Sequence, residues 1–126
     1  SWVSQASFSP PGLSIAVAKD RSVESLLQIG DSFALNILSD KDFREPLKRF
    51  TKSFAPGEDR FEGLEIEYTP NNQVIIPESL AWLDASVKER MECGDHWVIY
   101  AEVIHGNILK SDCLTAVHHR KSGANY

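Results

Sequence analysis

A chain of 126 residues is long enough to bury one core and short for two domains. Its 42% hydrophobic and 25% charged residues match a folded globular domain rather than a disordered segment. A net charge of −5, with the lysines and arginines dispersed, sets nucleic acid aside as a partner. The longest apolar runs fall well short of the roughly 20 residues that span a bilayer as a helix.

The opening stretch, Ser1 to Gly12, combines short hydrogen-bonding side chains (Ser1, Ser4, Gln5, Ser7, Ser9) with Trp2, Val3 and Phe8, and ends at Pro10-Pro11. It reads either as a half-polar edge strand closed by prolines or as a segment whose hydroxyls and amides face a flat polar ligand. Leu13 to Ala18 is a short apolar run, expected as a buried strand. Lys19-Asp20-Arg21-Ser22 interrupts it. Val23, Leu26 and Leu27 then have helical spacing, with Ser22 as the expected N-cap and Gly30 as the stop. A helix start preceded by Lys19 and Arg21 suits a phosphate group, and equally reads as a solvated loop with two basic residues.

Phe33 to Leu38 alternates as a strand with Asn36 inside it, and a buried asparagine must find partners. A second helix is expected from Ser39 or Asp40, with Phe43, Leu47 and Phe50 on one face and a kink at Pro46. APGEDRFEG is loop, Leu64 to Tyr68 an alternating strand, and Val74 to Ile76 a short apolar run. Leu80, Trp82, Ala85 and Val87 lead up to Gly94-Asp95, and Trp97, Ile99, Ala101 and Val103 lead away, which predicts an antiparallel hairpin. Cys113 to Val117 would add a last strand. Such a series, with little βαβ rhythm, predicts a small closed or partly open barrel.

Cys93 and Cys113 form no CxxC pair and are expected as free thiols. The histidines show no metal-ligand spacing, and no Walker, GxGxxG or GxSxG motif is present. The chain starts without methionine inside a strand pattern, so it is read as a cytoplasmic domain excised from a longer polypeptide.

The Ser- and Gln-bearing strand before Ser9-Pro10-Pro11, the FALNIL strand, Glu58-Asp59-Arg60-Phe61, Gly94-Asp95-His96 and the tail HHRKSGANY occur in one order. In that set the chain resembles the flavin reductase-like family, the FMN-binding split barrels. It is most similar to the C-terminal flavin reductase domain of the flavodiiron proteins of oxygenic phototrophs. The resemblance implies a mainly β, Greek-key split barrel with about two short helices, and a homodimer with flavin near its interface. It assigns Trp2, Val3, Ser4, Gln5 and Ser7 to the flavin ring and ribityl chain, and Lys19, Asp20, Arg21 and Ser22 to the phosphate. His96, with His118 and Arg120 from the tail, borders the NAD(P)H, and Arg60 and Phe61 are lid candidates.

The activity implied is hydride transfer from NAD(P)H to FMN, with electrons passed to a di-iron, oxygen-reducing core of the same polypeptide. Family members also carry a strand upstream of the position matching Ser1. Two other readings stay open at this point: an FMN-binding relay reduced by a protein partner such as ferredoxin, and a docking domain that has lost flavin.

Overall fold

The computed structural model describes residues 1–55 and 57–116. Five strands form one antiparallel sheet in the order β1-β2-β7-β6-β3: β1 Trp2–Phe8, β2 Pro11–Ala18, β3 Ser32–Leu38, β6 Ser79–Cys93 and β7 His96–Ile108. The two-residue strands β4 Glu67–Tyr68 and β5 Val74–Ile75 form a separate ladder, and one helix, α1, covers Arg44–Phe50. The alternating pattern therefore yields the expected mainly β fold. Its described strands form an open order, with β1 and β3 as the two edges, rather than a closed barrel. Among the described residues no helix is long and apolar enough to cross a membrane.

The centre of the sheet is the hairpin predicted around Gly94-Asp95. Cys93 pairs with His96 across a two-residue turn, and Gly94 adopts φ 58°, a value that glycine reaches without steric cost. The β6–β7 register shifts twice: between Asp84 and Ala85, where Ile104 is the extra residue on β7, and between Val87 and Glu89, where Lys88 is the extra residue on β6. Asp84 is fully buried, a carboxylate that the hydrophobic pattern did not single out. One Asp84 oxygen accepts from the Asn71 N–H at 3.2 Å and so holds the β4–β5 turn.

Ile15, Val17, Leu27, Val87 and Ile99 form the core, with Phe33 and Trp97 packed against it. Directly paired residues share a sheet face. Leu13, Ile15 and Val17 stand opposite Ala101, Ile99 and Trp97, so this face of β2 and β7 is the covered one. Asn36 satisfies itself structurally: its Nδ2 donates to the Val74 carbonyl at 3.0 Å, and its Oδ1 accepts from the Ile76 N–H at 2.8 Å and the Ser79 hydroxyl at 3.1 Å. A single side chain thus fastens β5 to β3 and to the start of β6.

Five local expectations need correction. The segment after β2 is a 3-10 turn over Ser22–Leu26, not a helix to Gly30, and its N-cap is Arg21 rather than Ser22. Only Leu27 of the expected apolar face is buried, while Val23 and Leu26 stay exposed, so too little area is covered to hold a longer helix. The second helix begins at Arg44, because Ser39 Oγ instead accepts the Asp42 N–H at 3.0 Å in a turn. Pro46 lies in the first turn of α1, where its missing N–H has no partner to lose, so no kink forms. Leu64 to Tyr68 forms ladder only at Glu67–Tyr68, since Leu64 and Ile66 donate within their own turns. Cys113 to Val117 gives one bridge, Ser39 to Thr115, and Val117 lies outside the described residues. Both cysteines are free thiols.

Two predictions follow from these contacts. Asn36→Ala strands a backbone N–H, a carbonyl and a hydroxyl, and chemical denaturation should register a loss of about 1–3 kcal/mol, with Asn36→Asp recovering part of it. Lys110 donates to Asp42 Oδ2 at 2.7 Å, and that hydrogen bond, followed by the charge of Lys110, holds the Asp42 carboxyl below its ordinary range. A folded-state value below the unfolded one stabilises the protein above the unfolded carboxylate range, and this contribution disappears as pH falls through the folded value. Thermal melts of Lys110→Met against the parent chain should therefore differ at neutral pH and converge in acid. A difference that persists in acid contradicts the ion-pair account.

Candidate functional site

The β1–β2–β7 register sorts the predicted residues onto two faces. Trp2 pairs with Ala16, Ser4 with Ser14 and, beyond a bulge at Ala6, Ser7 with Gly12. Across β2, Gly12 faces Glu102, Ser14 faces Tyr100, Ala16 faces Val98 and Ala18 faces His96. Trp2, Ser4, Ser7 and His96 therefore share the outer face, opposite the core. Val3 and Gln5 pair with Ile15 and Leu13 and take the inner side of the same edge strand.

The outer face has a floor of small residues (Ser4, Ser7, Gly12, Ser14, Ala16) between Trp2 and His96 at one end and Tyr100 at the other. The Trp2 and His96 rings lie 5.8 Å apart, within range for an aromatic pair. At Gly12 a Cβ would sit 2.6 Å from Tyr100 Cε2, so only glycine lets the tyrosine lie flat across β2. Trp2 is 72% exposed and Ser4 Oγ makes only a 3.4 Å contact with the Gln5 carbonyl, so this floor and its polar groups are accessible. A shallow, smooth face with hydroxyls and flanking aromatics fits a planar heteroaromatic ring. Ser14, Ala16 and Tyr100 escaped the sequence reading because a period-2 strand does not say which of its faces is used.

His96 is oriented by its neighbour. Its Nδ1 lies 2.7 Å from Asp95 Oδ1, and among the described residues its Nε2 has no partner. The hydrogen bond to His96, reinforced by its charge, holds the Asp95 carboxyl below the ordinary aspartate range. Asp95 also fixes the end of the face, because its carbonyl accepts the Lys19 N–H at 2.9 Å.

That hydrogen bond places the loop 19–22 beside the hairpin turn, at the Trp2–His96 end of the sheet. Lys19 Nζ pairs with Glu92, which lowers the Glu92 carboxyl, and lies 5.4 Å from the centre of the Trp97 ring. Asp20 and Arg21 are exposed, with a 4.0 Å contact between Arg21 Nε and Asp20 Oδ1. Ser22 Oγ carries no hydrogen bond to a described residue, and its carbonyl accepts from the Ser25 hydroxyl at 2.8 Å. Beneath this loop, Arg90 pairs with Glu24 and stacks on Trp97 at 4.4 Å, a buried arrangement that no sequence motif announced.

Arg60 and Phe61, the lid candidates, point elsewhere. Arg60 stacks over Phe54 at 4.9 Å and Phe61 meets Phe50 at 5.5 Å, on the loop beside α1. A cavity of about 480 Å³ lies there, lined by Lys48, Arg49, Phe50, Arg60 and Glu78 among others, and none of the residues assigned to the flavin lines it. Its mixture of opposite charges, partly tied up by Arg49 donating to the Glu62 and Arg60 carbonyls, does not select a phosphate. The smooth face on β1, β2 and β7 is the better candidate, although it is no cavity. His118 and Arg120 lie outside the described residues.

Comparison with known proteins bears on this geometry. The model of the flavin reductase like domain matches residues 1–124. Diflavin flavoprotein A 1 of Synechocystis sp. is 52% identical over the whole of this chain, which spans 22% of that protein's length. Among solved structures, the NADH:FAD oxidoreductase SgcE6 of Streptomyces globisporus superposes with a TM-score of 0.77 at 25% identity, over 90% of this chain and 66% of that one. A flavin reductase domain protein from Arthrobacter sp. FB24 shares the fold at 23% identity, with a TM-score of 0.75 over 90% of this chain and 67% of its own. With the sequence match running from end to end and the fold in agreement, the chain belongs to the flavin reductase like domain family.

Proposed function

We propose that this chain is an NAD(P)H:FMN oxidoreductase domain, in which FMN lies along the outer face of β1, β2 and β7. The observation that carries the reading is the register that puts Trp2, Ser4, Ser7 and His96 on one accessible face, with the loop 19–22 at its end. Bound FMN supplies the hydride-accepting chemistry, and the protein supplies placement and hydrogen bonds.

Each residue's part follows from where it sits. The Ser4 and Ser7 hydroxyls offer donors and acceptors to the rim of the ring and to the ribityl chain. Val3 and Gln5, on the inner side of the edge strand, contribute through their backbone and through the Gln5 amide. Trp2 walls one end and shields the ring from water. Lys19, Arg21 and Ser22 converge on the phosphate, and Asp20 steers the Arg21 guanidinium. His96, held through Nδ1 by Asp95, presents Nε2 to the nicotinamide. His118 and Arg120, outside the described residues, are assigned to NAD(P)H by the family resemblance alone. No general base is needed, because hydride passes directly between rings held at near-attack distance.

The reading extends to the electrons collected here passing to an oxygen-reducing flavodiiron core in the same polypeptide; that this chain matches about a fifth of diflavin flavoprotein A 1, a larger protein, supports it. The same reading includes a homodimer with the exposed β1 edge close to its contact.

Two experiments test it. Anaerobic addition of NADPH, then NADH, to the chain loaded with FMN should bleach the flavin absorbance far faster than with free FMN, and the faster donor is the preferred one. Bound flavin that stays oxidised with both contradicts hydride transfer and leaves a protein such as ferredoxin as the donor. Ser4→Ala and Ser7→Ala should each weaken FMN binding by roughly 2- to 10-fold in a fluorescence titration, the loss of one hydrogen bond of about 0.5–1.5 kcal/mol. Unchanged affinity in both variants removes the outer face from the site.

A further inference from the structure

Arg90 does something that folding alone does not require. Its side chain is 7% exposed, Nη2 pairs with Glu24, and Nε and Nη1 are buried with no hydrogen-bond partner. Buried ion pairs of this kind are often replaceable by apolar side chains without loss of stability, so what they provide is more often geometry than strength.

The geometry here is specific. Within the 3-10 turn Ser22–Leu26 itself, Val23 and Leu26 are exposed and the backbone hydrogen bonds are local; Leu27 and the Gly30–Val87 hydrogen bond anchor its far end, which leaves the Glu24–Arg90 pair as the tie at its start. Glu24 reaches down to Arg90, and the Glu24 N–H donates to the Arg21 carbonyl at 2.9 Å. Arg21 in turn donates its N–H to the Ala18 carbonyl at 3.1 Å. One rigid path therefore runs from Arg90 through Glu24 into the loop 19–22. The other end of that loop is fixed by Lys19, which bonds the Asp95 carbonyl, pairs with Glu92 and lies over the same Trp97 ring on which Arg90 stacks. Trp97 is thus a shared platform for a buried arginine and an exposed lysine that bracket the loop.

We propose that Arg90 is the positioning residue of the phosphate end of the flavin site: by stacking on Trp97 and pairing with Glu24 it fixes the loop 19–22 in the form that takes a phosphate monoester. This rests on the reading that residues 19–22 hold the flavin phosphate. A planar guanidinium stacks on the indole while presenting a rigid fork of donors, whereas an ammonium is a compact point charge on a flexible stem, so Arg90→Lys keeps the charge and loses the geometry.

The test compares FMN with riboflavin, which lacks the phosphate, by fluorescence titration of the parent chain, Arg90→Lys and Glu24→Gln, with circular dichroism and thermal melts confirming the fold. Glu24→Gln lies at the accessible end of the pair and covers the case in which Arg90→Lys does not fold. FMN affinity should fall about tenfold in each variant, while riboflavin affinity stays within about twofold, a phosphate-selective loss of the size expected for displaced charge-assisted hydrogen bonds. The sign for Glu24→Gln is diagnostic, because removing a carboxylate near a phosphate strengthens binding if only long-range charge matters. Equal losses for both flavins, or no loss, overturn the proposal. Equal affinity of the parent chain for FMN and riboflavin overturns the phosphate reading itself, and is visible before any variant is made.

Discussion

The pairing of β6 with β7 is the constraint on which everything else in this fold depends. These two long strands form the middle of the sheet, and their tight turn at Gly94-Asp95 fixes where both begin. β2 docks on the free side of β7 and β3 on the free side of β6, so neither outer strand has a place until the hairpin exists. The same turn organises the candidate site: Asp95 orients His96 with its carboxylate and anchors Lys19 with its carbonyl. One exposed residue thereby couples the end of the sheet to the loop 19–22.

The two faces of that sheet divide the labour. Inward, Ile15, Val17, Val87 and Ile99 exclude water and carry the stability, as apolar burial does in any domain of this size. Outward, small residues on β1 and β2 form a smooth floor bordered by the larger side chains of β7. Such a surface contributes little to folding, and a planar ligand that covers it gains the area that the fold leaves uncovered. Polar groups inside the sheet are confined to places where they fasten elements together, as Asn36 does for β5 and Asp84 does for the β4–β5 turn.

Much of this was legible in the residues, for identifiable reasons. The β6–β7 hairpin could be read because period-2 alternation on both sides of Gly94-Asp95 has no helical alternative, and Asn36 was expected to need partners and has three. The helical expectations fared worse. Ser22 looks like a cap and Val23, Leu26 and Leu27 like a face, yet with only Leu27 reaching the core the segment closes as a 3-10 turn. Asp84 is a carboxylate in a stretch read for its apolar residues, so its burial could not be foreseen. For the site, motif order pointed to β1, the loop 19–22 and His96. Which face of β1 is used, and the support of the loop by Arg90 and Trp97, depend on register and long-range packing that no local spacing encodes.

The central claim is that the flavin lies on the outer face of β1, β2 and β7 rather than in the cavity beside α1. A crystal structure of the chain with FMN tests this directly. It should show the ring over Ser4, Ser14 and Ala16, between Trp2 and Tyr100, with the phosphate at residues 19–22. Flavin density between α1 and the loop carrying Arg60 would contradict it.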